Sequence, residues 1–379
     1  MQTYDVIIIG GGIAGSVCAK FLAQKKLKTL FVEKYKPPRH KPCSGIQFDY
    51  FSRLVGEKFP PEKLCRHQLK RIEIYYPDGS TFGAPCSMYN FMRDVFDDYL
   101  NQVAQKYGAE FWAECEYVDH EETAGGVTVD LKKDGQGIRA ACSYLIDASG
   151  LRPVIRKKLR PADFGKGANG GSINYYIEGK ADLDPETLYQ FWNLDWNNQM
   201  FAWVYNKTME GREYWVVGSG YDRDLKQHCE LFLDFVRQKY HLDGEIIKTE
   251  GYSSTISFNA AERIWLGQGR LLMIGDAAGL IDMTRGVGMD AAALSGRLAA
   301  QAIAAALKQG KPALEEYVKV SRSLVAQTRK NQTQSINRFS SNEELLTHLR
   351  KDMAAAGPGM AVQSVLNRFR QPEQLVLLP

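Results

Sequence analysis

The sequence predicts an α/β fold in which a parallel sheet flanked by helices is joined to an antiparallel-sheet domain and a helical C-terminal tail. Three observations support this prediction. A glycine-rich turn follows a fully apolar strand near the amino end, aromatic-rich alternation occupies about residues 170–220, and an Ala-rich helical segment lies near residue 300. With 379 residues, of which 44% are hydrophobic, the chain is long enough for two or three packed units.

The first elements follow a β-α-β order. Residues 5–10 form an unbroken apolar run that ends in glycines, which is typical of a parallel strand buried on both faces. A helix is expected over about residues 14–25, and residues 29–33 read as the second strand. In the following loop, residues 34–42, the Pro37-Pro38 pair excludes regular structure.

The later elements complete a division into three regions. Apolar spacing predicts a helix over residues 87–107, strands follow through residue 147, and alternation predicts antiparallel strands over about 170–220. Another buried strand (271–275) precedes the Ala-rich helix (290–307). The predicted regions are a discontinuous nucleotide-binding domain (1–50, 88–160 and 262–310), an antiparallel-sheet substrate domain (51–87 and 161–261) and a helical C-terminal region (311–379).

Composition and charge exclude several classes of protein. The net charge of +4 is too small and too evenly spread for the basic footprint of a nucleic-acid-binding protein. No apolar run approaches the length of a membrane span, and the first residues lead directly into a strand pattern, so we expect a cytoplasmic protein. The seven cysteines and six histidines show no disulfide or metal-ligand spacing, so we expect no metal site.

The segment from Gly10 to Gly15 fits the pattern G-x-G-x-x-G. Because it follows a buried strand and opens a helix, it predicts a dinucleotide site of the Rossmann type. Its glycines allow backbone N–H groups to approach a pyrophosphate, and the helix terminus adds partial positive charge. Glu33, at the end of the next strand, can accept hydrogen bonds from a ribose. The residues expected at the cofactor are Gly10, Gly12, Ile13, Ala14, Gly15, Glu33 and Lys34.

A second motif identifies the dinucleotide as FAD by resemblance. The strand that ends in Gly275-Asp276-Ala-Ala resembles the second flavin motif of the FAD-dependent hydroxylase-like superfamily, and residues 144–156 resemble its Asp-Gly motif. The resemblance implies that Asp276 hydrogen-bonds the ribityl chain and that the helix after Gly288 points at the flavin pyrimidine edge, where it would stabilise reduced flavin. The implied cofactor contacts are Gly275, Asp276, Gly286, Val287, Gly288 and Met289.

The loop after Glu33 narrows the family. Lys41-Pro42-Cys43-Ser44-Gly45 resembles the Lys-Pro-Cys-Gly-Gly segment of the geranylgeranyl reductase family, with serine in place of the first glycine. The resemblance implies that Cys43, Ser44 and Gly45 lie at the cofactor, as does Arg93, which matches an Arg-x-x-Phe-Asp pattern. Residues 201–207 resemble the aromatic box that lines the family's prenyl channel. The implied substrate residues are Phe201, Trp203 and Tyr205.

Two residues have open roles. The family usually has proline where Met283 stands, so residues 282–285 could reshape the pocket over the flavin. Within this segment, Arg285 could bind a carboxylate or diphosphate, or pair with Asp282. Cys43 could be the proton donor that completes the reduction of an alkene after hydride delivery, or a small residue that packs under the cofactor.

The resemblance implies an FAD-dependent oxidoreductase that reduces carbon–carbon double bonds of a prenyl or other apolar substrate by hydride transfer from reduced flavin. The alternative is an FAD-dependent monooxygenase on the same fold; Gly279 stands where flavin hydroxylases usually have histidine, which disfavours it. A third class is a flavoprotein that binds a partner through its tail. Electrons would come from NAD(P)H or a reduced carrier protein. Peripheral contact with a membrane surface stays open.

Overall fold

The computed structural model describes residues 1–65, 67–164, 170–254, 264–282, 287–332, 339–375 and 377. Its strands form two sheets, and the helices pack on or beside them. The strands are β1 (Gln2–Ile9), β2 (Thr29–Val32), β3 (Ile46–Phe48), β4 (Leu69–Tyr75), β5 (Thr81–Asn90), β6 (Glu110–Trp112), β7 (Cys115–Thr123), β8 (Gly126–Lys133), β9 (Gln136–Asp147), β10 (Gly170–Glu178), β11 (Thr187–Phe191), β12 (Ala202–Met209), β13 (Arg212–Tyr221), β14 (Glu245–Ser254), β15 (Gly267–Gln268) and β16 (Leu271–Met273). The helices are α1 (Ile13–Gln24), α2 (Phe51–Val55), α3 (Pro61–Leu64), α4 (Arg93–Lys106), α5 (Val154–Leu159), α6 (Leu225–Lys239), α7 (Met289–Gln309), α8 (Ala313–Val320), α9 (Arg322–Gln332) and α10 (Asn342–Asn367).

The first sheet has the strand order β15-β16-β9-β1-β2-β6, and the β7–β8 hairpin extends it from β9. β1 pairs in parallel with β2 and β9, and β16 pairs in parallel with β9. β2 and the carboxyl half of β1 are fully buried because helices cover the sheet, which explains their unbroken apolar sequences. Gly296 of α7 lies against the backbone of Ala14 in α1, where an added Cβ would come within 2.4 Å of the Ala14 carbonyl oxygen.

The second sheet has the strand order β14-β10-β13-β12-β11-β4-β5-β3. Successive side chains along each strand point to opposite faces of this sheet. One face packs on α6, where Val204 and Val217 belong to the same apolar cluster as Phe232. The other face we call the site face. It is formed by Tyr176, Trp203, Tyr205, Lys207 and Glu250.

Two predicted boundaries differ from the structure. The helix predicted over residues 87–107 begins only at Arg93, because residues up to Asn90 continue strand β5, in which Asn90 pairs with Ile46. Apolar residues near Phe91 have helical spacing by coincidence. Strand β3, which contains Ile46, joins the second sheet although it lies within the predicted region 1–50. The three-region division itself stays a prediction.

The chain after residue 311 is helical in its described part, through α8, α9 and α10. No helix among the described residues is long and apolar enough to cross a membrane. Within the same ranges, no cluster of three or more His, Cys, Asp or Glu side chains could hold a metal ion. All seven cysteines are free thiols.

Candidate active site

The glycine-rich turn joins β1 to α1 through close backbone contacts. A Cβ atom at Gly10, whose φ is +115°, would lie 2.4 Å from the Ala148 carbonyl oxygen, and one at Gly15 would lie 1.9 Å from the Gly10 carbonyl oxygen. Gly12 is different, because its Cβ would meet only the Arg39 guanidinium, at 3.3 Å. The turn therefore lies against backbone atoms toward the sheet and against the Arg39 side chain toward the loop after β2. Ile13 and Ala14 form the first turn of α1.

Glu33 directly follows β2 and is buried beside this turn. Its Oε2 accepts a hydrogen bond from the Gly11 backbone N–H at 3.2 Å and lies 3.0 Å from Arg39 Nε. Arg39 also lies 3.4 Å from Asp97 Oδ2. Lys34 behaves differently: its exposed ammonium pairs with Glu116 Oε1 at 2.7 Å and is directed toward β7. Its side chain is not brought to the turn.

The three sequence motifs meet where β1, β9 and β16 end. Gly275 follows β16, and its Cβ would lie 3.0 Å from the Ala14 Cβ of the first motif. The carboxyl ends of parallel strands are the usual ligand edge of such a sheet. Asp147, at the end of β9, is buried and accepts hydrogen bonds from the backbone N–H groups of Ser149 and Ile155. Burial raises the pKa of Asp147, and its contacts give it a structural role at the start of α5.

The second flavin motif leads into α7 as predicted. The Gly275 N–H donates a hydrogen bond to Ser295 Oγ at 2.9 Å. Asp276 Oδ1 lies beside Gly288, where an added Cβ would be 3.1 Å away, and α7 begins at Met289. A two-residue bridge between Asp282 and Val287 closes the turn. Arg285 and Gly286 lie outside the described residues, and so does the predicted pairing of Arg285 with Asp282.

Two buried cations lie beside the Cys43 loop. The half-buried Cys43 and the Arg93 side chain line one small cavity, and Arg93 binds Asp97 through two hydrogen bonds, of 2.9 and 3.0 Å. Lys207 Nζ donates to the Ser44 carbonyl oxygen at 2.5 Å. Burial lowers the pKa of Lys207 to about 8, against the opposing influence of Cys43 and Cys65.

The backbone of this loop also lies against the end of β5 and the residue that follows it. Gly45 adopts φ +69°, and a Cβ there would lie 2.1 Å from the Phe91 carbonyl oxygen. The Asn90 side chain accepts a hydrogen bond from Lys207 Nζ at 2.8 Å. Ser44, Gly45 and the thiol are therefore held at one place, between the end of β5 and the site face.

Trp203 and Tyr205 lie on the site face of β12. The Trp203 indole N–H donates to Asn174 Oδ1 at 2.8 Å, and the two side chains meet across Gly218. The Tyr205 hydroxyl is fully buried and has no hydrogen-bond partner among the described residues. Since buried hydroxyls nearly always have partners, this one fits a site that a bound molecule completes. The Phe201 ring packs 6.3 Å from that of Trp203.

The other aromatic residues near β11 belong to the protein core. Tyr189 and Phe191 point to the face that packs on α6. Trp196 packs against Phe235 of that helix, with 4.2 Å between the ring centroids. The aromatic residues on the α6 face are therefore core residues. Trp203 lies on the site face instead.

Comparison with known proteins decides the cofactor. Residues 66–333, well over half of the chain, match the family described as FAD binding domain, and residues 8–38 match the NAD(P)-binding Rossmann-like domain. The chain belongs to the FAD-binding domain family. These matches confirm the predicted cofactor, FAD, and the predicted Rossmann-type α/β fold. The second sheet is antiparallel as predicted except for the parallel pair of β11 and β4.

Relatives of this flavoprotein include prenyl reductases. It is 28% identical over 328 residues to digeranylgeranylglycerophospholipid reductase 2 of Methanothermobacter thermautotrophicus, covering 81% of this chain and 80% of the relative. It is 28% identical over 327 residues to geranylgeranyl diphosphate reductase of Rhodobacter capsulatus, covering 82% and 77%. A geranylgeranyl bacteriochlorophyll reductase-like protein of Thermoplasma acidophilum superposes with a TM-score of 0.76 at 22% identity, covering 92% and 90%. The protein is an FAD-dependent oxidoreductase related to the geranylgeranyl reductases.

The residues present fit FAD. Gly12, which faces the Arg39 guanidinium and no backbone atom, and the buried Glu33 carboxylate suit a dinucleotide, and the amino end of α7 lies beside Asp276. Sequence reasoning missed Arg39 and Lys207. Arg39 gave no signal beyond a basic loop, whereas Lys207 could have been noticed as the third residue in the alternation that places Trp203 and Tyr205 on one face.

Proposed function

We propose that this flavoprotein reduces carbon–carbon double bonds of a prenyl or other apolar substrate. The observation that carries the proposal is the position of Cys43. It lines one cavity with buried Arg93 and precedes Ser44, whose carbonyl oxygen accepts a hydrogen bond from buried Lys207 of the site face. The names of the prenyl reductases to which the chain is similar support the same reaction class.

In this proposal the glycine turn and Glu33 hold the adenosine part of FAD, and Asp276 with Gly288 holds the ribityl and flavin part. When bound and reduced, FAD would supply the hydride for one alkene carbon, and NAD(P)H or a reduced carrier protein would restore its two electrons. Cys43 gives its thiol proton to the other carbon. Arg93 and Lys207 stabilise the negative charge left on the sulfur.

The apolar part of the substrate lies along Phe201, Trp203 and Tyr205 in this proposal. Aromatic rings bury a large apolar area and leave the Tyr205 hydroxyl free for a polar contact. Arg285 remains proposed for an anionic head group of the substrate. The predicted three-region division fits this arrangement, with the substrate between the two sheets.

The test uses anaerobically photoreduced holoenzyme mixed with geranylgeranyl diphosphate. We expect flavin reoxidation without oxygen and a product heavier by two hydrogen atoms. Cys43→Ala should slow reoxidation about 10²-fold, as loss of a general acid does, while FAD stays bound. Cys86→Ala is the matched control, because Cys86 is another half-buried free thiol, on β5.

One outcome would reject the proposed reaction, and another would reject only the role of Cys43. Reoxidation by oxygen alone, with hydroxylation of an added aromatic substrate, would indicate the monooxygenase instead. Equal rates for the wild type and Cys43→Ala would leave alkene reduction in place and remove Cys43 as its acid.

A further inference from the structure

A second group of polar side chains lies beside Cys43, on strands β10 and β14. The Tyr176 hydroxyl donates a hydrogen bond to Glu250 Oε2 at 2.7 Å. Glu250 Oε1 lies 2.5 Å from Lys248 Nζ and 3.4 Å from His40 Nε2. Tyr176 and Glu250 are buried, whereas the His40 side chain is 56% exposed. These contacts lead from the protein surface to the interior.

Tyr176 and Glu250 line a small cavity together with Cys43. The cavity has a volume of about 10 Å³, which is close to the space that one water molecule needs. Burial, followed by the influence of Tyr205, Glu250 and Cys43, raises the pKa of Tyr176, so its hydroxyl keeps its proton at rest. The lining residues are His40, Lys41, Cys43, Phe91, Met92, Arg93, Asp94, Tyr176 and Glu250.

The sheet itself does not require these polar contacts. Backbone pairing already joins β10 to β14, with Tyr176 opposite Lys248 and Asn174 opposite Glu250. A buried carboxylate is unfavourable unless ion pairs and hydrogen bonds compensate for its lost hydration, and apolar side chains of similar volume often stabilise a fold better. A carboxylate that joins an exposed imidazole to a buried hydroxyl is suited to moving protons.

We propose that His40, Glu250 and Tyr176 return a proton from solvent to the Cys43 sulfur after each turnover. This inference rests on the proposed function, in which Cys43 gives its proton to the substrate. Tyr176 passes its hydroxyl proton to the thiolate, directly or through one water molecule, and takes a proton from the Glu250 carboxyl. Glu250 is protonated in turn by the His40 imidazolium. One proton enters from solvent for each double bond reduced, and no electrons move in these steps.

This proton relay through His40, Glu250 and Tyr176 predicts that the rate of the first turnover and the rate of later turnovers respond differently to substitution. The variants are Tyr176→Phe and Glu250→Gln, and Tyr4→Phe is the matched control because it removes a Tyr–Glu hydrogen bond, of 2.9 Å to Glu110, at the first sheet. Single-turnover reoxidation of photoreduced holoenzyme by geranylgeranyl diphosphate should be unchanged in all three, since the proposed relay acts only after Cys43 has given up its proton. Steady-state turnover with excess dithionite should fall at least about 10-fold in the first two variants only.

Added imidazole, a small proton carrier, should restore part of the lost turnover in both relay variants. Unchanged steady-state turnover would overturn the relay. An equal loss in single-turnover and steady-state rates would also overturn it, because it would show that the pair shapes the pocket instead. If the wild type is not reoxidised by the prenyl substrate at all, the proposed function fails, and this inference fails with it.

Discussion

The dinucleotide end and the substrate end of this site are built in different ways. At the dinucleotide end the contacts are between backbone atoms, and the missing Cβ atoms of Gly10 and Gly15 would otherwise lie 2.4 and 1.9 Å from carbonyl oxygens. At the substrate end, side chains from separate elements converge on one thiol. Lys207 reaches Ser44 across 163 positions of sequence, and Tyr176 reaches Glu250 across 74.

This difference explains which parts could be read from the sequence. A backbone that must pass within van der Waals distance of another backbone requires glycine at fixed spacing, so it leaves a local pattern. Convergence of distant side chains leaves no such pattern, because any strand residue whose side chain points to the site can contribute to it. The dinucleotide end should therefore fail by loss of cofactor, and the substrate end by loss of chemistry with the cofactor retained.

The largest expected effect is at the dinucleotide end. Gly15→Ala places a Cβ 1.9 Å from the Gly10 carbonyl oxygen, so α1 must move away from the turn. Overpacking of this kind costs about 1–3 kcal/mol, which corresponds to about a 5- to 150-fold loss of FAD affinity when the cost falls on the FAD-bound state, and activity should fall with the flavin content. The flavin absorbance of the purified protein measures this. Gly137→Ala, whose Cβ would have no neighbour within 4 Å, should retain FAD.

A Gly15→Ala protein that keeps its full flavin content would show that the turn is not a cofactor contact. The expectation that the dinucleotide end fails by loss of cofactor would then be wrong.

The next effect is at the substrate end. Gly218→Ala places a Cβ 2.1 Å from Trp203 Nε1 and 2.3 Å from Asn174 Oδ1, so the indole must leave the site face. We expect full FAD content but an alkene reduction rate lower by about 10- to 100-fold, since a misplaced contact residue disturbs substrate orientation. Anaerobic flavin reoxidation measures the rate. The control is Gly251→Ala on β14, whose Cβ would be 3.7 Å from the Ser172 carbonyl oxygen, an ordinary contact.

If Gly218→Ala loses flavin as completely as Gly15→Ala, the site face supports the cofactor as well as the substrate. The proposed separation between the two ends would then be wrong.

Particular residues show how far sequence reasoning reached. The order of elements β1, α1 and β2 and the start of α7 were predicted, because a strand buried on both faces and a Gly-x-Gly turn are local features of the sequence. The helix predicted from residue 87 was wrong up to residue 92, because pairing of Asn90 with Ile46 overrides the helical spacing around it. Such pairing depends on tertiary structure, which a single window of sequence does not contain.

The site shows the same limit. Glu33 was predicted from its place after β2, and Cys43 from a motif, but Glu250 carried no signal because its importance comes only from Tyr176 and His40, on other elements. Lys207 is a similar case. Its burial is a property of the assembled fold, and its charge can be tested without any substrate.

The smallest expected effect is a pH dependence of stability that Lys207 contributes. Burial lowers the pKa of its ammonium from 10.5 to about 8 in the folded protein. Between these two values the unfolded chain binds more protons than the folded one, so this group makes the free energy of unfolding rise with pH across that window. Below pH 8 the contribution should be flat, because both states are protonated.

Urea unfolding of the FAD-saturated wild type and Lys207→Met at pH 7, 8, 9 and 10 measures this contribution as a difference. Titration of tyrosines and other cysteines is shared by both proteins and cancels, and the lost hydrogen bonds to Ser44 and Asn90 give a constant offset. Lys34→Met is the control: the Glu116 contact raises the pKa of exposed Lys34, so its difference should be flat up to pH 10. A flat Lys207 difference would mean that burial does not lower the pKa of this ammonium, because its hydrogen bonds to Ser44 and Asn90 compensate for its lost hydration.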